Sequence, residues 1–188
     1  MDKMSNKLVV VFPGVGYHTD KPLLYYSKKL AHAKDYEIIE IKYDLPEAGA
    51  VIKADAEKRK QAFDTAFEQV TKQLETVDFD SYEKVVFIGK SIGTALAARY
   101  NMTYELDADQ IIFTPIETTF AFVTPCEGFV FHGDADPLCD TDMCTQLCEE
   151  LSLTYVVIPG ANHSLETENV LNNIEILGKV MSTEDKLL

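Results

Sequence analysis

Basic residues are scarce in this chain. Seventeen Lys and Arg stand against thirty-one Asp and Glu, a net charge of −14. A surface this acidic repels phosphate backbones and anionic membranes, which argues against a nucleic-acid or membrane partner. Long apolar runs are missing too. Residues 1–7 are polar, and the run that follows, Leu8–Phe12, is too short for a signal-peptide core or a membrane span. The expected location is therefore cytoplasmic. Cysteine is sparse, and in that compartment Cys126, Cys139, Cys144 and Cys148 are expected as reduced thiols. Their spacing matches no zinc pattern. Cys144 and Cys148 share a helix face at i, i+4 with Asp140 and Asp142 close by, but small apolar filler on a half-buried helix is the simpler reading. No metal is expected. Histidine is equally sparse, with only His18, His32, His132 and His163 to choose from as a base.

What remains is a soluble globular balance, 46% hydrophobic and 26% charged over 188 residues. That length suits a single domain, residues 1–188, with one substantial core. Apolar strands alternate with helices. Leu8–Phe12 predicts a strand closed by Pro13-Gly14, Leu23–His32 a helix, and Tyr36–Tyr43 a second strand. Residues 54–77 predict a helix whose stripe is Phe63, Phe67, Val70, Leu74 and Val77. Lys84–Ile88, Gln110–Phe113, Gly128–Phe131 and Thr154–Ile158 predict four more strands. Helices are expected over Thr141–Leu151 and over Leu165–Met181, the latter with Val170, Leu171, Ile174, Leu177 and Val180 inward. Continuous apolar strands separated by helices imply an α/β three-layer sandwich of about six parallel strands. Ligands of such sheets bind outside the carboxyl ends of the strands.

Four polar or glycine-rich segments fall at those ends: Pro13-Gly14-Val15-Gly16, Gly89–Gly93, Gly133–Asp136 and Gly160–His163. The second reads Gly89-Lys90-Ser91-Ile92-Gly93 directly after an apolar strand. A serine in G-x-S-x-G can sit on a strained strand-to-helix turn with its hydroxyl above the sheet. Its hydroxyl is a weak nucleophile and needs a base, which in turn needs an orienting group. His163, on the loop after the sixth strand, is the candidate base. Asp136, after the fifth strand, is the candidate orienting acid. Asp134 is the runner-up, better suited to bonding nearby backbone in its own turn. His132 is expected to hold that turn, His18 to edge the pocket or lie at the surface, and His32 to be exposed. An oxyanion hole needs two convergent amides. Ile92 supplies one by its position after Ser91; Val15 is the choice for the other, with Gly16 next.

These residues resemble the α/β-hydrolase superfamily. Three signatures occur in that family's order of serine, acid and histidine: Gly89-Lys90-Ser91-Ile92-Gly93, His132-Gly133-Asp134-Ala135-Asp136 and Gly160-Ala161-Asn162-His163. The resemblance runs from Leu8 to about Met181. The chain departs from it in three ways. The loop after the first strand reads Pro13-Gly14 where the family often has His-Gly. The family's two leading antiparallel strands are missing. Only residues 114–127 lie where a cap domain is often inserted, so the chain looks like a small, lidless member. The resemblance implies a serine hydrolase of the carboxylesterase or thioesterase kind, acting without a cofactor on a small-molecule acyl substrate. Gly14, Gly16 and Tyr17 would line its pocket; Phe120 and Phe122 could join them or complete the core. A monomer or a homodimer is compatible with this. The competing reading is a non-catalytic binding module on the same scaffold, with the first glycine loop collapsed over Ser91.

Overall fold

The side chains of strand β1 (Lys7–Phe12) divide cleanly between two cores. Val9 and Val11 face one side of the sheet, Leu8, Val10 and Phe12 the other, and none of the five is exposed. A strand buried on both faces needs helices on both, and these follow in chain order in this computed structural model, which describes residues 6–45 and 56–188. After β1 come helix α1 (Pro22–Ala33), strand β2 (Glu37–Glu40), helix α2 (Ala56–Leu74), strand β3 (Lys84–Lys90) and helix α3 (Ile92–Thr103). Then come strand β4 (Asp109–Phe113), strand β5 (Phe129–Gly133), helix α4 (Thr141–Glu150), strand β6 (Thr154–Ile158) and helix α5 (Val170–Leu187).

All six strands are parallel, in the order β2-β1-β3-β4-β5-β6. Leu23, Leu24 and Ala31 of α1, with Ile176 and Val180 of α5, cover the face carrying Val9, Val11, Ile88 and Phe113. On the other face Ala66, Val70 and Leu74 of α2 and Leu96, Ala97 and Tyr100 of α3 cover Leu8, Val10, Phe12 and Phe87. Helix α4 closes that face over Ile112 and Val130 with Cys144 and Cys148. The expected three-layer α/β sandwich is the observed one.

The winding reverses between β1 and β3. From β1 the chain steps outward to β2, then returns beside β1 and proceeds the other way. The helix after β1 packs on one face and the helix after β3 on the other, so the loops leaving these strands diverge and open a crevice at their carboxyl ends. Ser91 and the first glycine loop border that crevice.

Several element ends differ from expectation, each for a local reason. β3 runs on through Gly89 and Lys90, straight into Ser91. β2 is shorter than Tyr36–Tyr43 because pairing with β1 stops at Glu40, opposite Val11. Helix α2 ends at Leu74, where the Val77 amide closes a turn onto the Leu74 carbonyl; positions 54 and 55 of that expectation lie outside the described residues. The last helix starts at Val170 rather than Leu165. Leu165 has φ of 56°, and the Asn169 side chain caps the helix by accepting from the amides of Leu171 and Asn172. Its apolar face also turns differently. Val170, Leu171 and Ile174 are exposed, while Ile176, Val180 and Glu184 are the buried positions.

Candidate active site

Ser91 has φ of 58° and ψ of −125°, a left-handed conformation that an L-residue holds only when its surroundings enforce it. The enforcement comes from the strand and helix that meet there. A Cβ on Gly93 would lie 2.2 Å from the Phe12 carbonyl oxygen, and one on Gly89 would lie 2.7 Å from Thr94 Cα. Only glycine lets α3 approach β3 at Gly89 and the end of β1 at Gly93 this closely. The Ser91 amide bonds the Phe113 carbonyl, and its own carbonyl accepts from the Thr94 amide and the Thr94 hydroxyl. These bonds pin the turn from both sides and leave the hydroxyl to point away from the sheet.

Three sequence-distant side chains converge there. His163 Nε2 lies 2.8 Å from Ser91 Oγ, and His163 Nδ1 lies 2.7 Å from Asp136 Oδ2. The Asp136 side chain is fully buried, whereas His163 is 21% exposed, so the line of bonds runs from the interior to a surface that a substrate can reach. Burial alone would raise the Asp136 pKa. The hydrogen bond from His163, the bond from the Leu138 amide, and the charges of His163 and His132 outweigh burial and hold the carboxyl below its ordinary range. An ionised Asp136 can only accept. It therefore accepts the hydrogen bond that Nδ1–H donates, which fixes the neutral imidazole with its proton on Nδ1 and leaves Nε2 free to accept the Ser91 proton.

The two candidate oxyanion amides border the same crevice. Ile92 opens α3, so its amide has no carbonyl one turn back. Val15 sits at the tip of a tight turn in which the amides of Gly14 and Tyr17 are each bonded to the other's carbonyl. That pairing consumes the amides on either side of the Val15–Gly16 tip, and Val15 is 45% exposed. Gly14 lies directly against the elbow, since a Cβ there would be 3.1 Å from Ser91 Cβ. Gly16 adopts φ of 71°. Tyr17 turns inward. Its hydroxyl accepts from the Leu23 amide, its ring lies 4.9 Å from Lys90 Nζ, and burial pushes its pKa up to about 12.

The remaining candidates separate. Asp134 is apart from His163; its carboxylate accepts the Gly160 amide at 2.5 Å and so ties the acid loop to the histidine loop rather than bonding within its own turn. His132 is fully buried, with Nε2 2.9 Å from Thr141 Oγ1, so its ring ties β5 to the start of α4 rather than holding the acid-loop turn. His18 and His32 are exposed. Phe122 stacks on Phe63 and Phe120 is buried in the core beneath α4, so both aromatics complete the core.

Sequence reasoning missed two supports. Thr114, with φ of 43°, donates its hydroxyl to the His163 carbonyl at 3.0 Å. Tyr43 donates its hydroxyl to the Pro13 carbonyl and so anchors the glycine loop. Nothing near either residue in sequence marks it. Among the described residues, one group of side chains could hold a metal ion, His132 with Cys139 and Cys144, and it lies behind the acid loop rather than at Ser91.

A parallel sheet reversing between β1 and β3, a strained serine turn after β3, and an acid and a histidine after β5 and β6 define the α/β-hydrolase fold. Only residues 114–128, with one short 3₁₀ turn over Glu117–Ala121, separate β4 from β5, so no lid is built there. No protein-family model matches the chain, and no curated protein sequence matches it. Solved structures do. An α/β serine hydrolase without lid from Xanthomonas campestris is 17% identical, with a TM-score of 0.61 over 99% of this chain and 84% of that one. Est1E from Butyrivibrio proteoclasticus, with ferulic acid bound, is 12% identical, with a TM-score of 0.63 over 96% and 90%. An esterase from Pyrococcus furiosus is 12% identical, with a TM-score of 0.62 over 97% and 83%. No helix among the described residues is long and apolar enough to cross a membrane.

Proposed function

We propose that this chain is a serine hydrolase that cleaves a small ester or thioester through an acyl-enzyme on Ser91. The observation that carries the reading is the His163 ring, bonded to Asp136 through one nitrogen and to Ser91 through the other. In this mechanism Ser91 Oγ attacks the substrate carbonyl carbon while His163 Nε2 takes its proton. The carbonyl electron pair moves onto oxygen, where the Ile92 and Val15 amides hold it. As the tetrahedral adduct collapses, His163 gives the proton to the departing alcohol or thiol. A water then attacks the acyl-enzyme by the same route in reverse, so one water is consumed and Ser91 is regenerated. Asp136 keeps the ring in the right tautomer and stabilises the imidazolium. Gly14, Gly16 and Tyr17 form the wall beside the reacting carbonyl, and no cofactor enters any step.

The lidless α/β serine hydrolase and the esterase among the similar structures support hydrolysis. The missing lid between β4 and β5 favours a short acyl group, or one presented on a carrier, over a long chain that must be enclosed. A fluorophosphonate probe tests the reading. The native protein is expected to take one label on Ser91, and Ser91→Ala and His163→Ala to take none. Folded protein that never labels would identify a binding module instead. A series of p-nitrophenyl esters of graded length, run beside acyl-thioesters, then reads the acyl preference.

A further inference from the structure

Behind the acid loop lies a second cluster of reactive side chains that the proposed hydrolysis does not use. His132 ends β5, Cys139 follows the acid loop, and Cys144 and Cys148 lie one turn apart on α4. All four are at most 2% exposed. One ligand atom each from His132, Cys139 and Cys144 lie within 4.8 Å of one another. A tetrahedral zinc with Zn–S near 2.3 Å would space its sulfurs about 3.8 Å apart, so the cluster needs to close by no more than about 1 Å. The Cys144 thiol also interacts with Cys148, which puts a further sulfur beside the group.

The histidine supplies an independent pointer. Its Nε2 is engaged by the Thr141 hydroxyl, while its Nδ1 is buried with no hydrogen-bond partner. A buried polar atom left unpaired has given up its hydration for nothing in return, so native structures rarely keep one without a use. With Nε2–H donating to Thr141, Nδ1 carries the lone pair that a metal requires, and Thr141 serves as the outer partner that fixes the ring.

We infer that His132 Nδ1, Cys139 Sγ and Cys144 Sγ form a buried site for a thiophilic d¹⁰ cation, Zn²⁺ in preference to Cu⁺, with Cys148 as the fourth ligand in reach. Charge decides between the two ions. With Cys148 as a third thiolate beside the neutral imidazole, Zn²⁺ leaves one net negative charge and Cu⁺ leaves two, and an apolar core carries the smaller charge at lower cost. Binding displaces the protons of the three ligating thiols to solvent and changes no oxidation state. The position gives the site a purpose. Its ligands bracket Asp136 in sequence, so the ion would staple β5, the acid loop and α4 together beneath the carboxylate that bonds His163.

The test uses the full chain, stripped with a chelator, kept reduced, and titrated with Zn²⁺ or with Co²⁺ as a spectroscopic reporter. One equivalent is expected to bind. Co²⁺ is expected to show tetrahedral ligand-field bands and a sulfur-to-cobalt charge-transfer band. Zinc at a hundred times its Kd is expected to raise Tm by about 5–10 °C. Cys139→Ala and Cys144→Ala, each checked by circular dichroism, are expected to weaken binding at least about a hundredfold, while Cys126→Ala, at the exposed cysteine, leaves it unchanged. Substoichiometric binding, octahedral cobalt bands, or affinity retained in both cluster variants would overturn the site. Binding of Cu⁺ without Zn²⁺ would overturn the assignment of the ion. The native protein's cobalt spectrum decides the matter even if a cysteine variant fails to fold.

Discussion

The Thr114 hydroxyl donates to the His163 carbonyl across 3.0 Å, joining the end of β4 to a loop 49 residues further along the chain. The proposed base is thereby held at its backbone as well as at its ring. Thr114 is itself immobilised, fully buried and with its amide bonded to the Phe131 carbonyl at 2.7 Å. Thr114→Val keeps the shape and removes the donor. A lost hydrogen bond of this kind costs roughly 1 kcal/mol. Because misplacing the imidazole costs rate steeply, kcat with a p-nitrophenyl ester is expected to fall about tenfold, with KM nearly unchanged. Steady-state kinetics beside a melting curve checks it; a fall in Tm with kcat intact would give Thr114 a purely structural role.

The two aspartates of the acid loop make opposite predictions. Asp136→Asn leaves a neutral side chain that can present an amide donor to Nδ1, so the ring is held in the wrong tautomer. A loss of kcat on the order of 10⁴ is expected. Asp134→Asn keeps an oxygen for the Gly160 amide and touches no part of the His163 ring. Its kcat is expected to stay within about threefold of the native value, since the conserved acceptor leaves the transition-state contacts in place. Pre-steady-state acylation with a p-nitrophenyl ester separates the two, and a large effect at Asp134 alone would move the acid assignment to that residue.

The parts legible in the sequence were those where one local pattern carried both fold and chemistry. Gly89 and Gly93 flank Ser91 because a Cβ at either would fall within 3 Å of neighbouring backbone, and that steric demand writes itself into adjacent positions. Asp136 and His163 could be proposed because each lies on the short loop that leaves an apolar strand. Contacts between distant segments leave no such mark. Neither the Thr114 hydroxyl nor the Tyr43 phenol differs in sequence from an ordinary surface group. Helix α5 shows a different limit. Val170, Leu171 and Ile174 have helical spacing, but the face that docks is chosen by what α1 offers opposite it, and that is Ile176, Val180 and a buried Glu184. Spacing of the cysteines alone could not bring His132 to them, since a β-strand and a loop supply two of the ligands.

Tyr43 makes a prediction about the other half of the site. Its hydroxyl donates to the Pro13 carbonyl, the residue before the Gly14–Tyr17 turn, and burial drives its pKa well above the ordinary phenol range, so it stays a donor at any working pH. Tyr43→Phe removes the anchor while keeping the ring. The glycine loop then loses the restraint that aims the Val15 amide. An oxyanion donor removed outright costs about 10²–10³ in rate; one merely loosened is expected to cost about fivefold to tenfold in kcat. If rates with p-nitrophenyl acetate are unchanged, the second oxyanion amide lies elsewhere than Val15.

Glu184 predicts how stability responds to pH. It is buried on α5 against α1, with Oε2 2.8 Å from Ser27 Oγ and Oε1 without a partner. Ser27 also bonds the Leu23 carbonyl at 2.8 Å, and one hydroxyl proton cannot serve both acceptors. A protonated Glu184 resolves the conflict by donating to Ser27, which then donates to Leu23. Burial, against the Ser27 bond and with the nearby Asp185 charge, raises its pKa to about 8. The folded pKa lies above that of the unfolded chain, so the native state binds the extra proton. The stability this group supports is therefore fully present below about pH 4.5 and is lost as pH rises through about 8. The loss is on the order of 3–5 kcal/mol across that window. Glu184→Gln keeps a neutral donor of the same shape and removes the titration. Urea midpoints at pH 5, 7 and 9 are expected to fall for the native chain relative to the variant, with the variant the more stable of the two at pH 9. Parallel midpoints across that range would show that Glu184 is ionised in the folded protein.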